Sequence, residues 1–128
     1  MRWLVDGVYL VVVLLTMPIW LFRMIRTGKI RTDWPARFGR VGATALRGDS
    51  ERPRVLLHAV SVGEVNAIRG LVATLDARGV DVVIATTTDT GTQRACSLFG
   101  QRHHVVRFPF DFSWMIKRFL GRLRPDLV

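Results

Sequence analysis

Two hydropathy rhythms divide the chain. From Gly7 to Phe22 it reads GVYLVVVLLTMPIWLF, 16 residues without a charge. From Arg54 onward, short apolar runs alternate with segments whose apolar residues recur every three to four positions. The stretch between, residues 23–53, is polar, basic and punctuated by Gly28, Pro35, Gly39, Gly42, Gly48 and Pro53. It reads as a basic linker with one short helix around Trp34–Phe38.

The second rhythm resolves into β-α units. Arg54–Val60 is a continuous apolar strand. Glu64–Arg78 is a helix with Val65, Ile68, Leu71, Val72 and Leu75 on one stripe, and Gly79 stops it. Val80–Ala85 is a second strand, rich in β-branched residues. Thr86-Thr87-Thr88-Asp89-Thr90-Gly91 forms a polar turn into a helix over Thr92–Phe99, closed by Gly100. His103–Phe108 is a third strand, Pro109-Phe110-Asp111 a loop, and Phe112–Leu123 a third helix. Pro125–Val128 opens a fourth strand. Buried strands alternating with helices predict an α/β fold, a Rossmann-like parallel sheet over 54–128. A parallel strand needs its ladder and covering helix, so the chain reads as the N-terminal part of a longer protein.

The uncharged run is extended by Trp3, Leu4 and Val5 and broken by Asp6. It approaches the roughly 20 residues that cross a bilayer core. Pro18 is expected to kink it. Trp3, Tyr9 and Trp20 suit headgroup depth, and Arg23, Arg26, Lys29 and Arg31 follow. That positive flank predicts a cytoplasmic location for everything downstream. A cleaved signal peptide is disfavoured, because no small-residue cleavage site follows Phe22 and the basic charge lies on the wrong side. A buried core helix remains open. The preferred reading is a membrane anchor over 1–22, spanning or interfacial, whose flank attracts anionic lipids by about 1 kcal/mol per Lys or Arg.

Composition narrows the partners. The 128 residues suit one domain with a core. Net charge is +9, and 17 of the 19 basic residues are arginine, which grips phosphates through a planar fork of donors. A coding bias toward arginine explains that ratio equally well but not the net charge. Arg102, Arg107, Lys117, Arg118, Arg122 and Arg124 read as a solvated face that also suits lipid headgroups. A nucleic-acid partner rests on charge alone, with no recognisable motif. One cysteine, Cys96, excludes an internal disulfide and reads as a small core residue. His58, His103 and His104 lack metal-ligand spacing, so no metal is expected.

Candidate chemistry gathers where strands meet helices. Open α/β sheets hold ligands outside the carboxyl ends of their strands. Glu64 stands at the first such junction, one of only two glutamates in the chain. A carboxylate there either serves the helix dipole or takes a proton from a substrate hydroxyl. For the second role it needs partial burial or apolar neighbours, which Val60, Val62 and Val65 are placed to supply. Gly63 leaves the backbone open to a substrate, and Ser61 caps the helix or holds a ligand hydroxyl. The threonine turn, with Thr88, Thr90 and Gly91, suits a phosphate or sugar oxygen at a helix N-terminus, or ordinary capping. No GxGxxG and no P-loop is present, and no cofactor is expected.

These residues resemble, in order, the N-terminal part of the 3-deoxy-D-manno-octulosonic acid (Kdo) transferases of lipopolysaccharide biosynthesis. The features are the apolar N-terminus with its basic flank, Arg37-Phe38-Gly39, His58–Glu64, Thr86–Gly91 and Pro109-Phe110-Asp111. The heptapeptide His58–Glu64 is the specific one. The resemblance implies a GT-B glycosyltransferase that moves Kdo from CMP-Kdo to a lipid A precursor (lipid IVA) at the cytoplasmic face of the inner membrane. It implies Glu64 as general base, with Ser61 and Gly63 shaping the acceptor pocket. The family's next motif, an acidic pair followed by Leu-Trp-Pro, is expected just after Val128, and its donor domain further on. The 128-residue piece alone is therefore expected to be inactive. The alternative is a non-catalytic, membrane-associated α/β interaction module.

Overall fold

The computed structural model describes residues 2–26, 33–46 and 51–128. Gly28, Lys29, Arg31 and Gly48, assigned above to the linker, lie outside the described residues. Helix α1 (Arg2–Arg26) is followed by α2 (Trp34–Arg37) and a 3-10 turn (Ala43–Ala45). Then come β1 (Arg54–His58), α3 (Val62–Ala67), α4 (Arg69–Ala77), β2 (Asp81–Thr86), α5 (Asp89–Phe99), β3 (His104–Arg107) and α6 (Ser113–Leu123).

The three strands form one parallel sheet in the order β1-β2-β3, with Leu56 paired to Val83 and Ala85 to Val106. Both faces are covered, and the middle of β2, Val82–Ala85, is accordingly apolar. Val82 and Ile84 pack with Val65, Val72, Ala95 and Phe99 from α3, α4 and α5. Val83 and Ala85 pack on the other face with Leu56, Phe119 and Leu123. Leu127 forms a parallel bridge with Val55 on the outer edge of β1, which fits the expected opening of a fourth strand.

Val41 and Ala45, counted with the linker by their polar surroundings, belong to the core. The breakers shape this segment into a cover for the sheet. Gly39 has φ +79°, and a Cβ there would sit 2.8 Å from the Met115 carbonyl oxygen of α6. Only glycine meets both demands.

Three further expectations are corrected. The helix after β1 is two helices, broken at Ile68, and Leu71 is 48% exposed because it turns off the stripe held by Val72. Cys96 is exposed, since Ala95 and Phe99 take the inward face of α5. Arg107 is no solvated arginine: its side chain is 14% exposed and pairs with Asp89.

Arg54, at the start of an otherwise apolar strand, is only 3% exposed. Its Nε donates to Asp81 Oδ2 at 2.6 Å, and its Nη1 to the carbonyls of Ala45 (2.9 Å) and Leu123 (3.0 Å). One guanidinium thus ties both strands to the 3-10 turn and to the end of α6.

Helix α1 runs unbroken through Pro18 and carries a 21-residue stretch, Trp3–Arg23, long and apolar enough to cross a membrane. Its apolar side chains are exposed along its length. It meets the rest of the structure at chosen points. Ser113 Oγ donates to Asp6 Oδ1 at 3.2 Å, and the Tyr9 hydroxyl to Asp111 Oδ2 at 3.5 Å.

Candidate active site

The carboxyl ends of the three strands open into a cleft of about 930 Å³. His58 at the end of β1, Thr87 and Thr88 after β2, and Phe108–Asp111 after β3 line it, with Asp89. Trp20 and Arg23 of α1 and Arg37 of α2 complete the wall. This is where the strand-end rule places a ligand.

Glu64 sits in the first turn of α3, exposed to solvent. Its Oε2 accepts the Val60 N–H at 2.7 Å, and Ser61 Oγ lies 3.5 Å from Oε1. The carboxylate thus reaches back over the β1–α3 corner to the residue before the N-cap, one position beyond the N–H that a capping box uses. Ser61 occupies the N-cap position, but its hydroxyl makes no cap bond. Val65 is buried, whereas Val60 and Val62 are 38% and 37% exposed, so they do not enclose the carboxylate. Gly63 is exposed, and a Cβ there would meet only Ser61 Oγ, at 3.9 Å.

Helix α5 begins three residues earlier than its apolar stripe indicates, because Thr88 is its N-cap. The Thr88 hydroxyl donates to the Val60 carbonyl at 2.9 Å and accepts the Gly91 N–H at 3.1 Å. That bolts the N-terminus of α5 to the β1–α3 corner. Gly91 is buried in the same joint. A Cβ there would lie 2.7 Å from Thr88 Oγ1 and 3.1 Å from the Val60 carbonyl. Thr90 is exposed on the first turn of α5.

The structure therefore brings Ser61, Glu64, Thr88 and Gly91 to one corner. Of the six candidate residues, only Thr88 lines the cleft. His58 bridges corner and cleft. Its ring stacks on Phe108 with centroids 4.0 Å apart, and its Nε2 is 3.1 Å from Thr87 Oγ1. Loss of water from the ring face holds its pKa below the usual histidine value, against the opposing pull of Glu64 and then Asp111. The neutral imidazole is the favoured form.

A charged group at the cleft wall joins residues that the sequence shows only in separate stretches. Asp89 Oδ1 receives Arg107 Nη2 at 2.5 Å and Arg37 Nη2 at 3.7 Å. Arg37 lies over the Phe110 ring, 5.5 Å from its centroid, and its carbonyl accepts the Phe110 N–H at 3.0 Å. Burial, and then the nearby Arg107, hold the Arg37 pKa below the ordinary arginine value. Arg37 and Asp89 lie 52 positions apart, so only the fold joins them. Among the described residues, no group of three or more metal-ligating side chains is assembled.

Residues 32–128 match the family described as 3-deoxy-D-manno-octulosonic-acid transferase (kdotransferase). The chain is 38% identical over 116 residues to the 3-deoxy-D-manno-octulosonic acid transferase of Bordetella pertussis, covering 84% of this chain and 27% of that protein. It is 29% identical over 126 residues to the transferase of that name from Chlamydia pneumoniae, covering 96% of this chain and 28% of that protein. The corresponding Haemophilus influenzae protein is 35% identical over 75 residues, covering 57% of this chain and 18% of that protein. The chain thus spans under a third of the length of these curated relatives. No solved structure matches it. The family match over residues 32–128, most of the chain, establishes that it belongs to the Kdo transferase family of glycosyltransferases.

Proposed function

We propose that this chain forms the acceptor-side lobe of a GT-B Kdo transferase, in which Glu64 is the general base. The complete protein moves Kdo from CMP-Kdo to a lipid A precursor at the cytoplasmic face of the inner membrane. A second lobe closes over the strand ends and brings the CMP-sugar. The Glu64 carboxylate takes the proton of an acceptor hydroxyl, whose oxygen attacks the anomeric carbon of Kdo. The bond to CMP breaks, and CMP leaves with the electron pair. One carboxylate suffices for such an in-line, inverting displacement.

The observation that carries this reading is the presentation of Glu64. A backbone N–H fixes one carboxylate oxygen at 2.7 Å, at the corner beside the cleft, and the group is open to solvent. An incoming hydroxyl needs that access, and the partial burial that raises a base's proton affinity, which Val60 and Val62 do not supply, falls to the second lobe as it closes. Ser61 and Gly63 border the same corner and would shape the acceptor's approach. Thr88 and Gly91 hold α5 against that corner, and exposed Thr90 faces any ligand that reaches it. Helix α1 and its basic flank keep the lobe near anionic lipids.

The test is Glu64→Gln in the complete protein. Transfer from CMP-Kdo should fall by at least 10²-fold, the low end for loss of a positioned base, with folding and membrane recovery unchanged. Transfer at near the wild-type rate would remove Glu64 from the mechanism. The 128-residue chain alone should turn over no CMP-Kdo.

A further inference from the structure

We infer that Thr88, on the reading that makes Glu64 the base, is the residue that positions it: through Val60, Thr88 holds the carboxylate where an acceptor hydroxyl arrives.

Glu64 has little local support. Helix α3 is six residues long, and its N-cap Ser61 makes no cap bond. The valines on either side of Ser61 leave the carboxylate uncovered. One short bond fixes it, from the Val60 N–H to Oε2 at 2.7 Å, while Ser61 Oγ stands 3.5 Å from Oε1. The base is therefore placed only as well as Val60 is placed.

Val60 lies past the end of β1. Ala59, just before it, is still tied to the sheet, its N–H donating to the Ala85 carbonyl at 2.8 Å. Val60 is held by its own carbonyl, which takes two donors from one residue: the Thr88 hydroxyl at 2.9 Å and the Thr88 N–H at 3.3 Å. Its N–H grips the base and its C=O is gripped by Thr88. A short chain of contacts thus runs from the N-terminus of α5 to the carboxylate.

Thr88 does more here than cap a helix. Capping needs only a lone pair, which Thr88 Oγ1 offers to the Gly91 N–H at 3.1 Å. The hydroxyl proton is left over, and it goes to Val60. The neighbouring threonines keep Thr88 itself in place. Its carbonyl accepts the Thr92 N–H at 2.9 Å and the Thr92 hydroxyl at 3.0 Å, and Thr92 Oγ1 lies 2.7 Å from Oγ1 of buried Thr86. Side chains locked by such outer contacts are what hold a reacting group to the tolerance that chemistry needs.

The test uses the complete protein. Thr88→Val should lower kcat for transfer by about tenfold or more with KM little changed, as expected when a reacting group is misplaced. Thr88→Ser, which keeps both bonds, should recover most of that rate. In a Glu64→Gln background Thr88→Val should cost nothing further, because its effect passes through the carboxylate. With isotope-labelled valine and alanine, the Val60 amide proton should move in Thr88→Val toward its position in Glu64→Gln, while that of Ala59 stays. If Thr88→Val fails to fold, Thr88→Asn takes its place, since asparagine caps as well and its capping oxygen carries no proton for the Val60 carbonyl. Equal losses in the two backgrounds, a loss confined to KM, no recovery by serine, or an unmoved Val60 resonance would each overturn the assignment. Failure of the base reading looks different: Glu64→Gln itself would then transfer at near the wild-type rate, and the assignment would fall with it.

Discussion

Alanine at Gly91 and alanine at Gly63 should move stability in opposite directions, although both glycines sit at the same corner of the sheet. At Gly91 the new Cβ arrives 2.7 Å from Thr88 Oγ1 and 3.1 Å from the Val60 carbonyl. Real Cβ atoms do not tolerate the first distance, so Thr88 must rotate or α5 must move away. Rotation forfeits the cap on the Gly91 N–H, worth about 1 kcal/mol. Rotation leaves the Val60 carbonyl at 3.1 Å, so α5 must also give way, which adds about 1–3 kcal/mol of overpacking. Against this stands the helix propensity gained on replacing glycine, up to about 1 kcal/mol. The net for Gly91→Ala is a loss of roughly 1–3 kcal/mol. At Gly63 the new methyl meets only Ser61 Oγ, at 3.9 Å, an ordinary contact. Gly63→Ala should therefore be neutral or stabilise by up to about 1 kcal/mol. Urea midpoints of the two variants and the parent, in one detergent, read both signs. A Gly91→Ala protein as stable as the parent would refute the steric reasoning. If Gly63→Ala folds well yet loses transfer in the complete protein, the space at Gly63 belongs to the acceptor and not to the fold.

Two other perturbations concern the ends of β1, Arg54 and His58. Arg54→Met strands Asp81 and two carbonyls, and should cost about 3–5 kcal/mol by urea unfolding. Arg54→Met with Asp81→Leu should recover part of the loss, and a cost under about 1 kcal/mol for the single variant would show that the pair is dispensable. His58 sets a pH dependence. Its folded pKa is lowered from the ordinary 6.5 by burial of the ring, so the unfolded chain binds the proton more readily. Stability should be full above about 6.5, decline as pH falls through that value, and level off below the folded pKa. His58→Gln should flatten that limb of a urea-midpoint profile, and an unchanged slope would assign the pH response elsewhere.

The strands were legible because a sheet covered on both faces imposes continuous apolar runs. Each strand boundary read from the sequence lies within two residues of the structure. Where two signals competed, the sequence was less clear. The threonine run looks like turn, yet Thr88 followed by Asp89 is an N-cap and a dipole-friendly first residue, and it starts α5 early. The stripe from Val65 to Leu75 assumed one helix, and the break at Ile68 shifts its phase and exposes Leu71. At the site, Glu64 and Ser61 were readable from their place at a strand-helix corner. The trio of Arg37, Asp89 and Arg107 was not. Arg37 and Asp89 fall in stretches picked out by the resemblance, but nothing local shows that they meet each other and Arg107 once α2, α5 and β3 are assembled.

The two ends of α1 touch the same body. Asp6 is held by Ser113, while Trp20 and Arg23, some four turns further along, border the opening beside Arg37. The exposed apolar flank of α1 is thereby kept alongside the opening and not remote from it. Whatever takes up that greasy flank is brought next to the strand ends, so one rod serves both as handle and as doorpost.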